Sequence, residues 1–200
     1  ADWAQASGDI LGGRKVQYPG WEMDRFYVPL QVTETAVITL GVAPDNAVTV
    51  WLDAIARARQ QIHLESLTFE HATLATALAD AARRGVDVAV LLEGDPAGGL
   101  KNQERWACRE LELAGGACWF MIRDDETDVH DRYRYLHAKF MVVDSQVLVV
   151  SSENLSPHSL PDDDKSDGTW GRRGIVLATN APQVVARAEA IFADDLAPAE

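Results

Sequence analysis

The chain has 200 residues, 47% of them hydrophobic, which is enough to bury one sizeable core. Its formal net charge of -13 at pH 7 argues against a general affinity for nucleic acid or anionic membranes, because such binding requires lysine and arginine to neutralise phosphates. No apolar run approaches the roughly 18 residues of a membrane-spanning helix, and the first ten residues lack a signal-peptide pattern. We therefore predict one globular domain without stable membrane insertion, in which any phosphate contact is local.

The chain divides into an irregular, aromatic-rich lead at residues 1–35 and a folded domain at residues 36–200. The first half of the domain alternates strands with helical stretches. Asp45 or Asn46 is placed to cap the first helix, and Gly85 to end the second. The predicted elements are a strand at 36–41, a helix at 47–60, a strand at 62–67, a helix at 72–84 and a strand at 86–94, the last a continuous apolar run typical of a strand buried on both faces.

The second half continues the alternation and then turns to strands. Its predicted elements are a helix at 102–115, a strand at 118–123, a polar loop at 124–134, a β-hairpin ending near residue 154, a long loop at 155–173, a strand at 174–179 and a helix at 181–196. Together the two halves predict the α/β class, with a mixed β-sheet sandwiched between helices.

Cys108 and Cys118 lie at the end of a predicted helix and the start of the following strand. A disulfide between them and a pair of buried thiols are both compatible with this spacing, because pairing cannot be read from sequence alone. The sequence therefore leaves both the pairing and the cellular compartment open.

The predicted hairpin concentrates the chemically active residue types. Side chains on a strand alternate between faces, so His137 and Lys139 point the same way. The second hairpin strand returns to the same end and delivers Ser151, Ser152 and Asn154 beside them. An ammonium, hydroxyls and an amide suit an anion, and a neutral imidazole can attack phosphorus or transfer a proton. The hairpin therefore predicts phosphoryl chemistry.

The same residues form a recognisable motif. His137, Lys139, Asp144 and Asn154 match the pattern H-x-K-x4-D followed by small residues and Asn, with "HAKFMVVD" complete and "SSEN" after it. The pattern resembles that of the phospholipase D superfamily, also called the HKD family. The resemblance extends over residues 37–194.

The resemblance implies a metal-independent phosphodiesterase or phosphatidyltransferase that needs no cofactor. The motif histidine attacks phosphorus to give a phosphohistidine, and a second histidine from another copy of the motif protonates the leaving group. Carried onto this chain, it implies catalytic roles for His137, Lys139 and Asn154, and substrate binding by Ser152, Asp144 and Glu65. Read from its position alone, Asp144 lies in the hairpin turn, where its simplest role is to form that turn.

Two departures from the family pattern stand out. Ser151 replaces the first glycine of the usual pair. Where many members carry an acidic residue that orients the histidine, this chain has Arg172 and Arg173. The orienting carboxylate is then missing or supplied from the preceding loop, whose candidates are Asp162, Asp163, Asp164 and Asp167.

The chain supplies half of the family's two-motif site, because its other histidines, His63, His71, His130 and His158, have no lysine two residues later. The second motif would come from a second copy of the chain or from a missing half of a longer protein. Phospholipid and nucleic-acid phosphodiesters both remain as substrates, and so do hydrolysis and transfer. The alternative hypothesis is a weakly active or inactive domain that binds phosphate or pairs with another subunit.

Overall fold

The computed structural model describes residues 28–94, 101–121, 136–162 and 171–196, and those from Leu30 onward belong to one compact unit. The strands in these ranges are β1 (Ile38–Ala43), β2 (Gln61–Ser66), β3 (Asp87–Glu93), β4 (Ala117–Met121), β5 (Lys139–Val143), β6 (Val147–Ser151) and β7 (Gly174–Thr179). The helices are α1 (Ala47–Arg57), α2 (Ala72–Arg83), α3 (Asn102–Leu113) and α4 (Pro182–Leu196).

The described strands form one sheet in the order β1-β7-β6-β5-β2-β3-β4. Strands β2, β3 and β4 are mutually parallel, as expected where helices α2 and α3 connect them. The remaining pairs are antiparallel. The sheet is therefore mixed, and β5, which begins with Lys139, is its central strand.

Helices cover both faces of the sheet. The main core packs α1, α2 and α3 against one face, where Trp51 and Leu78 are fully buried with Ile62 of β2. His63, the next residue on β2, points to the other face and stacks on Phe192 of α4 with ring centroids 4.6 Å apart. The predicted α/β class, a mixed sheet sandwiched between helices, is confirmed.

The helix ends differ in how closely they follow the sequence prediction. Gly85 follows α2 with a φ of +90°, a conformation that glycine adopts at little cost, so the predicted helix end is confirmed. Asn46 precedes α1, but its Oδ1 accepts a hydrogen bond from the backbone N–H of Val42 at 2.7 Å and does not cap the helix. The predicted cap by Asn46 is wrong because the preceding strand end uses its side chain.

Cys108 of α3 and Cys118 of β4 form a disulfide with a Cα–Cα distance of 5.5 Å. Of the two states that the sequence left open, a disulfide and a pair of buried thiols, the structure shows the disulfide. It ties α3 to the edge strand β4. Within the ranges that the structure describes, no helix is both long enough and apolar enough to cross a membrane.

Candidate active site

The candidate site lies at the edge of the sheet where β2 and β6 end and β5 begins. Ser66, the last residue of β2, pairs with Lys139, the first residue of β5. The chain beyond β2 continues along this edge, where the N–H of Leu67 donates to the carbonyl of Ala138 at 3.1 Å. His137, the residue directly before Ala138, therefore projects from an anchored segment.

His137 and Lys139 contact each other directly. The Lys139 Nζ lies 2.9 Å from His137 Nδ1 and donates to the His137 carbonyl oxygen at 2.7 Å. Lys139 is buried, whereas His137 is exposed. Loss of solvation, followed by the Lys139 charge, lowers the pKa of His137, which favours the neutral imidazole.

Glu93 holds the backbone directly before His137. This residue ends β3 and is only 1% exposed, and its Oε2 accepts a hydrogen bond from the N–H of Leu136 at 2.7 Å. A buried carboxylate that accepts a backbone N–H makes a strong, charge-assisted bond. The sequence prediction missed Glu93, because nothing local signals that the end of β3 reaches a segment more than 40 residues later.

Asn154 and Ser152 follow β6 at the same edge. Leu155 forms a parallel bridge with Phe69, beyond the end of β2, and this bridge brings Asn154 to the continuation of the strand that anchors Ala138. The Ser152 side chain already makes a structural hydrogen bond, because its Oγ accepts from the N–H of Ile175 at 3.1 Å. Its hydroxyl therefore joins β6 to β7.

Glu153 is a second acidic residue that the sequence prediction missed. Its side chain is 9% exposed, its backbone N–H donates to Ser151 Oγ at 2.9 Å, and its charge acts on Lys139. The space that a side chain at Gly174 would fill is taken by the Glu153 carboxylate. Two signals were present in the sequence, a carboxylate inside the motif and a glycine at the start of the facing strand.

Asp144 lies at the opposite end of the hairpin from His137. It lies five residues beyond Lys139 in the sequence. At ~3.3 Å per strand residue, this separation corresponds to about 16 Å along the strand. Its Oδ1 accepts from the N–H groups of Gln60 at 2.7 Å and Gln61 at 3.0 Å, and Oδ2 accepts from Arg59 at 2.9 Å. Burial opposes ionisation of Asp144, but these backbone bonds outweigh it and lower the pKa. The carboxylate fastens the α1–β2 connection.

Glu65 lies on the other face of the sheet from Lys139. It precedes Ser66 on β2 and pairs with Phe140, so its side chain is directed toward α4. It is 1% exposed, and its Oε2 has no hydrogen-bond partner within the described residues. Burial, with a further contribution from the Asp195 charge, raises the pKa of Glu65 to about 8. The structure therefore does not bring Glu65 together with the motif residues.

The candidates for a carboxylate that orients His137 have different positions. Asp162 lies 3.4 Å from Nε2 of the buried His71, which caps α2, whereas Asp163, Asp164 and Asp167 lie outside the described residues. Arg173 donates to Asp45 at 2.8 Å and is exposed, as is Arg172. His137 itself contacts Lys139, whose Nζ lies 2.9 Å from Nδ1.

Comparison with known proteins identifies the family. Residues 51–196, well over half of the chain, match the family model described as "Cardiolipin synthase, PLD-like domain". The chain belongs to the phospholipase D-like family. The resemblance inferred from the HKD motif is thereby confirmed. No curated protein matches the chain significantly.

Solved structures show the same phospholipase D-like fold. Nuc from Salmonella typhimurium, described as a phospholipase D family member, has a TM-score of 0.66 at 18% identity, covering 80% of this chain and 94% of its own. NucT from Helicobacter pylori has a TM-score of 0.62 at 16% identity, with 81% and 96% covered. Polyphosphate kinase from Porphyromonas gingivalis has a TM-score of 0.53 at 18% identity, with 82% and 27% covered. These identities establish the fold alone.

The chemical capacity of this phospholipase D-like site follows from its donors. A buried ammonium supplies N–H donors to an anion, and an exposed neutral imidazole supplies a base or nucleophile. Within the described parts of the chain, no group of three histidine, cysteine or acidic side chains is placed to hold a metal ion. The ammonium and the imidazole together can bind an anion and supply a base or nucleophile.

Proposed function

We propose that this chain is a phospholipase D-type phosphodiesterase that contributes half of a two-motif active site. The observation that carries the proposal is the direct contact, at 2.9 Å, between Nζ of Lys139 and Nδ1 of His137 inside a complete HKD motif. The contact supports the proposal because it combines an anion donor with a nucleophile or proton-transfer group in one place.

The proposed reaction assigns one role to each side chain. His137 attacks phosphorus and forms a phosphohistidine while the bond from phosphorus to the leaving oxygen breaks. Lys139 and Asn154 bind the non-bridging phosphate oxygens, and Ser152 supports the substrate from the β6–β7 junction. Water then cleaves the phosphorus–nitrogen bond, or an alcohol does so if the reaction is a transfer. Because of the positions described above, we assign Asp144 and Glu65 no contact with the substrate.

A second acid must complete this reaction. In an in-line displacement the leaving oxygen lies opposite the attacking nitrogen, so His137 cannot attack and protonate at the same moment. We propose that the acid is the histidine of a second HKD motif, from a second copy of the chain or from another half of a longer protein. Phospholipid and nucleic-acid phosphodiesters are both proposed substrates.

Phosphodiesterase assays on the chain and on any longer parent protein test the proposal. The substrates are bis(p-nitrophenyl) phosphate, phospholipid vesicles and single-stranded DNA. We expect His137→Gln to abolish turnover and His158→Gln, at an exposed loop position, to leave it unchanged. Turnover should also persist in a chelator such as EDTA, because the proposed nucleophile needs no metal. Loss of activity in EDTA that zinc or magnesium restores would contradict the mechanism.

One observation favours a second candidate function, phosphate binding or subunit pairing with little or no turnover. The Lys139 ammonium lies 2.9 Å from His137 Nδ1, a contact that opposes nucleophilic attack by that nitrogen. A protein of this second kind would bind inorganic phosphate through Lys139, and it would show no covalent phosphohistidine on any of the three substrates. Labelling with a phosphorus-labelled substrate, quenched in alkaline denaturant because the phosphorus–nitrogen bond is labile in acid, separates the two functions.

A further inference from the structure

His71 connects the start of α2 to the segment that follows the candidate site. The residue is completely buried and lies directly before α2. Its Nδ1 accepts a hydrogen bond from the N–H of Leu74 at 3.4 Å, and its Nε2 faces the carbonyl oxygen of Leu160 and, at 3.4 Å, the carboxylate of Asp162. Both groups that face Nε2 are acceptors, so a neutral ring carries its proton on Nε2 and its lone pair on Nδ1.

A series of hydrogen bonds leads from His71 back to Asn154. The N–H of Leu160 donates to the carbonyl of Ser156 at 2.9 Å, and the N–H of Ser156 donates to the carbonyl of Asn154 at 2.8 Å. Leu160 and Ser156 are both buried. His71 therefore holds the far end of the turn at residues 156–160, and Asn154 lies just before its near end.

We propose that His71 is the residue that positions Asn154, and that it does so only as a neutral imidazole. The neutral ring satisfies its contacts on both sides. A second proton would lie on Nδ1, where it would oppose the N–H of Leu74 and break the contact that orients the ring. The consequence for phosphate binding rests on the proposed function, because that function makes Asn154 a phosphate ligand.

The surroundings of His71 favour the neutral ring. Burial lowers the pKa of His71, and the charge of Asp162 opposes this shift without reversing it. The first turn of α2 has no acidic residue, Glu70 is paired with Lys101 at 2.7 Å, and His158 of the turn is exposed. Because the pKa lies below the ordinary value of 6.5, positioning is complete above pH 6.5 and is lost as the pH falls through the lowered pKa.

Two substitutions separate positioning from helix capping. The amide of glutamine can take the place of Nε2 and donate to Leu160, whereas the shorter asparagine can cap α2 in the place of Nδ1 without reaching Leu160. The measurement is the side-chain amide resonance of Asn154, identified in nuclear magnetic resonance spectra by its loss in Asn154→Ala. We expect it to shift in His71→Asn and to stay unchanged in His71→Gln. The reverse result, or no shift in either variant, would overturn the inference.

Acidification of the full chain tests the requirement for a neutral ring. The Asn154 resonance should move in the wild type as the pH falls below 6.5, and it should move less in His71→Gln, which cannot titrate at this position. Both proteins keep His137, so its titration affects both spectra alike. His158→Asn, at an exposed position of the same turn, should titrate like the wild type. Identical titrations of the wild type and His71→Gln would contradict the inference.

Binding of sulfate, measured by calorimetry at neutral pH, relates this positioning to the proposed function. We expect Asn154→Ala and His71→Asn to bind sulfate about tenfold more weakly than the wild type, as the loss of one hydrogen bond to the anion predicts, and His71→Gln to bind it equally well. Full affinity in both weakened variants, with the expected shifts of the Asn154 resonance, would contradict the phosphate-binding role of Asn154 and leave its positioning by His71 intact.

Discussion

Burial shifts the pKa values of Lys139 and Glu65 in opposite directions. It lowers the pKa of Lys139, an effect that the nearby Glu153 charge opposes, and it raises the pKa of Glu65 to about 8. Burial disfavours the charged form of each group, and only Lys139 has a neighbouring opposite charge that compensates. The two residues lie on opposite faces of adjacent strands, so only Lys139 is placed to serve the site.

Glu65 makes the stability of the protein depend on pH with a defined sign. Its folded-state pKa is about 8, above the ordinary value of 4.5, so its favourable contribution is complete below pH 4.5 and is lost as the pH rises toward 8. We expect Glu65→Gln to be more stable than the wild type at pH 8 by roughly 2–4 kcal/mol, with little difference at pH 4.5. Urea denaturation of both proteins at the two pH values measures this. An equal difference at both pH values would contradict it.

Asp144 is expected to contribute to stability and not to phosphate binding. Asn tolerates the positive φ of this position, so Asp144→Asn removes the charge and one acceptor without straining the turn. We expect the free energy of unfolding to fall by about 1–2 kcal/mol at pH 7. The lowered pKa keeps the Asp144 carboxylate ionised at this pH, so the wild-type protein loses the stabilising effect of its hydrogen bonds only at acidic pH.

The control for Asp144→Asn is Asp53→Asn, which removes an exposed ion pair with Arg57 at 3.8 Å. This substitution should lower the free energy of unfolding by less than about 0.5 kcal/mol. Chemical denaturation and titration with inorganic phosphate are the two measurements. Unchanged stability together with weakened phosphate binding would show that Asp144 belongs to the site.

Among the structural elements, the start of β7 controls the position of Glu153. Gly174 leaves the space that the Glu153 side chain occupies, and a methyl group there would collide with that side chain from Cγ to Oε1. The Glu153 carboxylate would have to shift, which changes its position relative to Lys139. Gly174 therefore affects where the Glu153 charge lies relative to the Lys139 ammonium.

Gly174→Ala and Gly85→Ala separate this effect from backbone strain. Gly85 has a positive φ but open space around it, so alanine there should cost about 1 kcal/mol through strain alone and leave the site intact. Gly174→Ala should lower the thermal midpoint, and it should weaken binding of inorganic phosphate because a displaced Glu153 charge no longer raises the pKa of Lys139. Thermal denaturation and phosphate titration of both variants test this. Equal phosphate affinities in the two variants would refute the role of Gly174.

The sequence predicted the described elements to within a few residues, because continuous apolar runs and helical periodicity are local signals. The partners of Asp144 and Glu93 were not predictable in this way, since they lie more than 80 and more than 40 residues away in sequence. Side-chain alternation along β2 places Glu65 on the opposite face from Lys139, but this could be worked out only once the pairing of β2 with β5 was known. Glu153 was overlooked because it occupies the variable position of the motif.

At the scale of the whole molecule, the half-site proposal predicts that activity depends on protein concentration. If two copies complete one site, the activity per chain should fall on dilution in parallel with the loss of dimer, because each half lacks the opposing acid. Assays combined with solution mass measurement over the same concentrations test this. If the second motif lies on another part of a longer protein, the isolated chain should be inactive at every concentration. Constant turnover by a monomer would contradict both forms of the proposal.

The central position of β5 has a consequence for how the site opens. All five of its residues are buried, and it is hydrogen-bonded on both sides, to β2 and to β6. Amide protons at the centre of such a sheet exchange with solvent only when most of the fold opens, whereas those in loops exchange through local fluctuations. We therefore expect Lys139 to sit on one of the slowest-exchanging segments of the protein, while Asn154, beyond the end of β6, is held by the isolated bridge between Leu155 and Phe69.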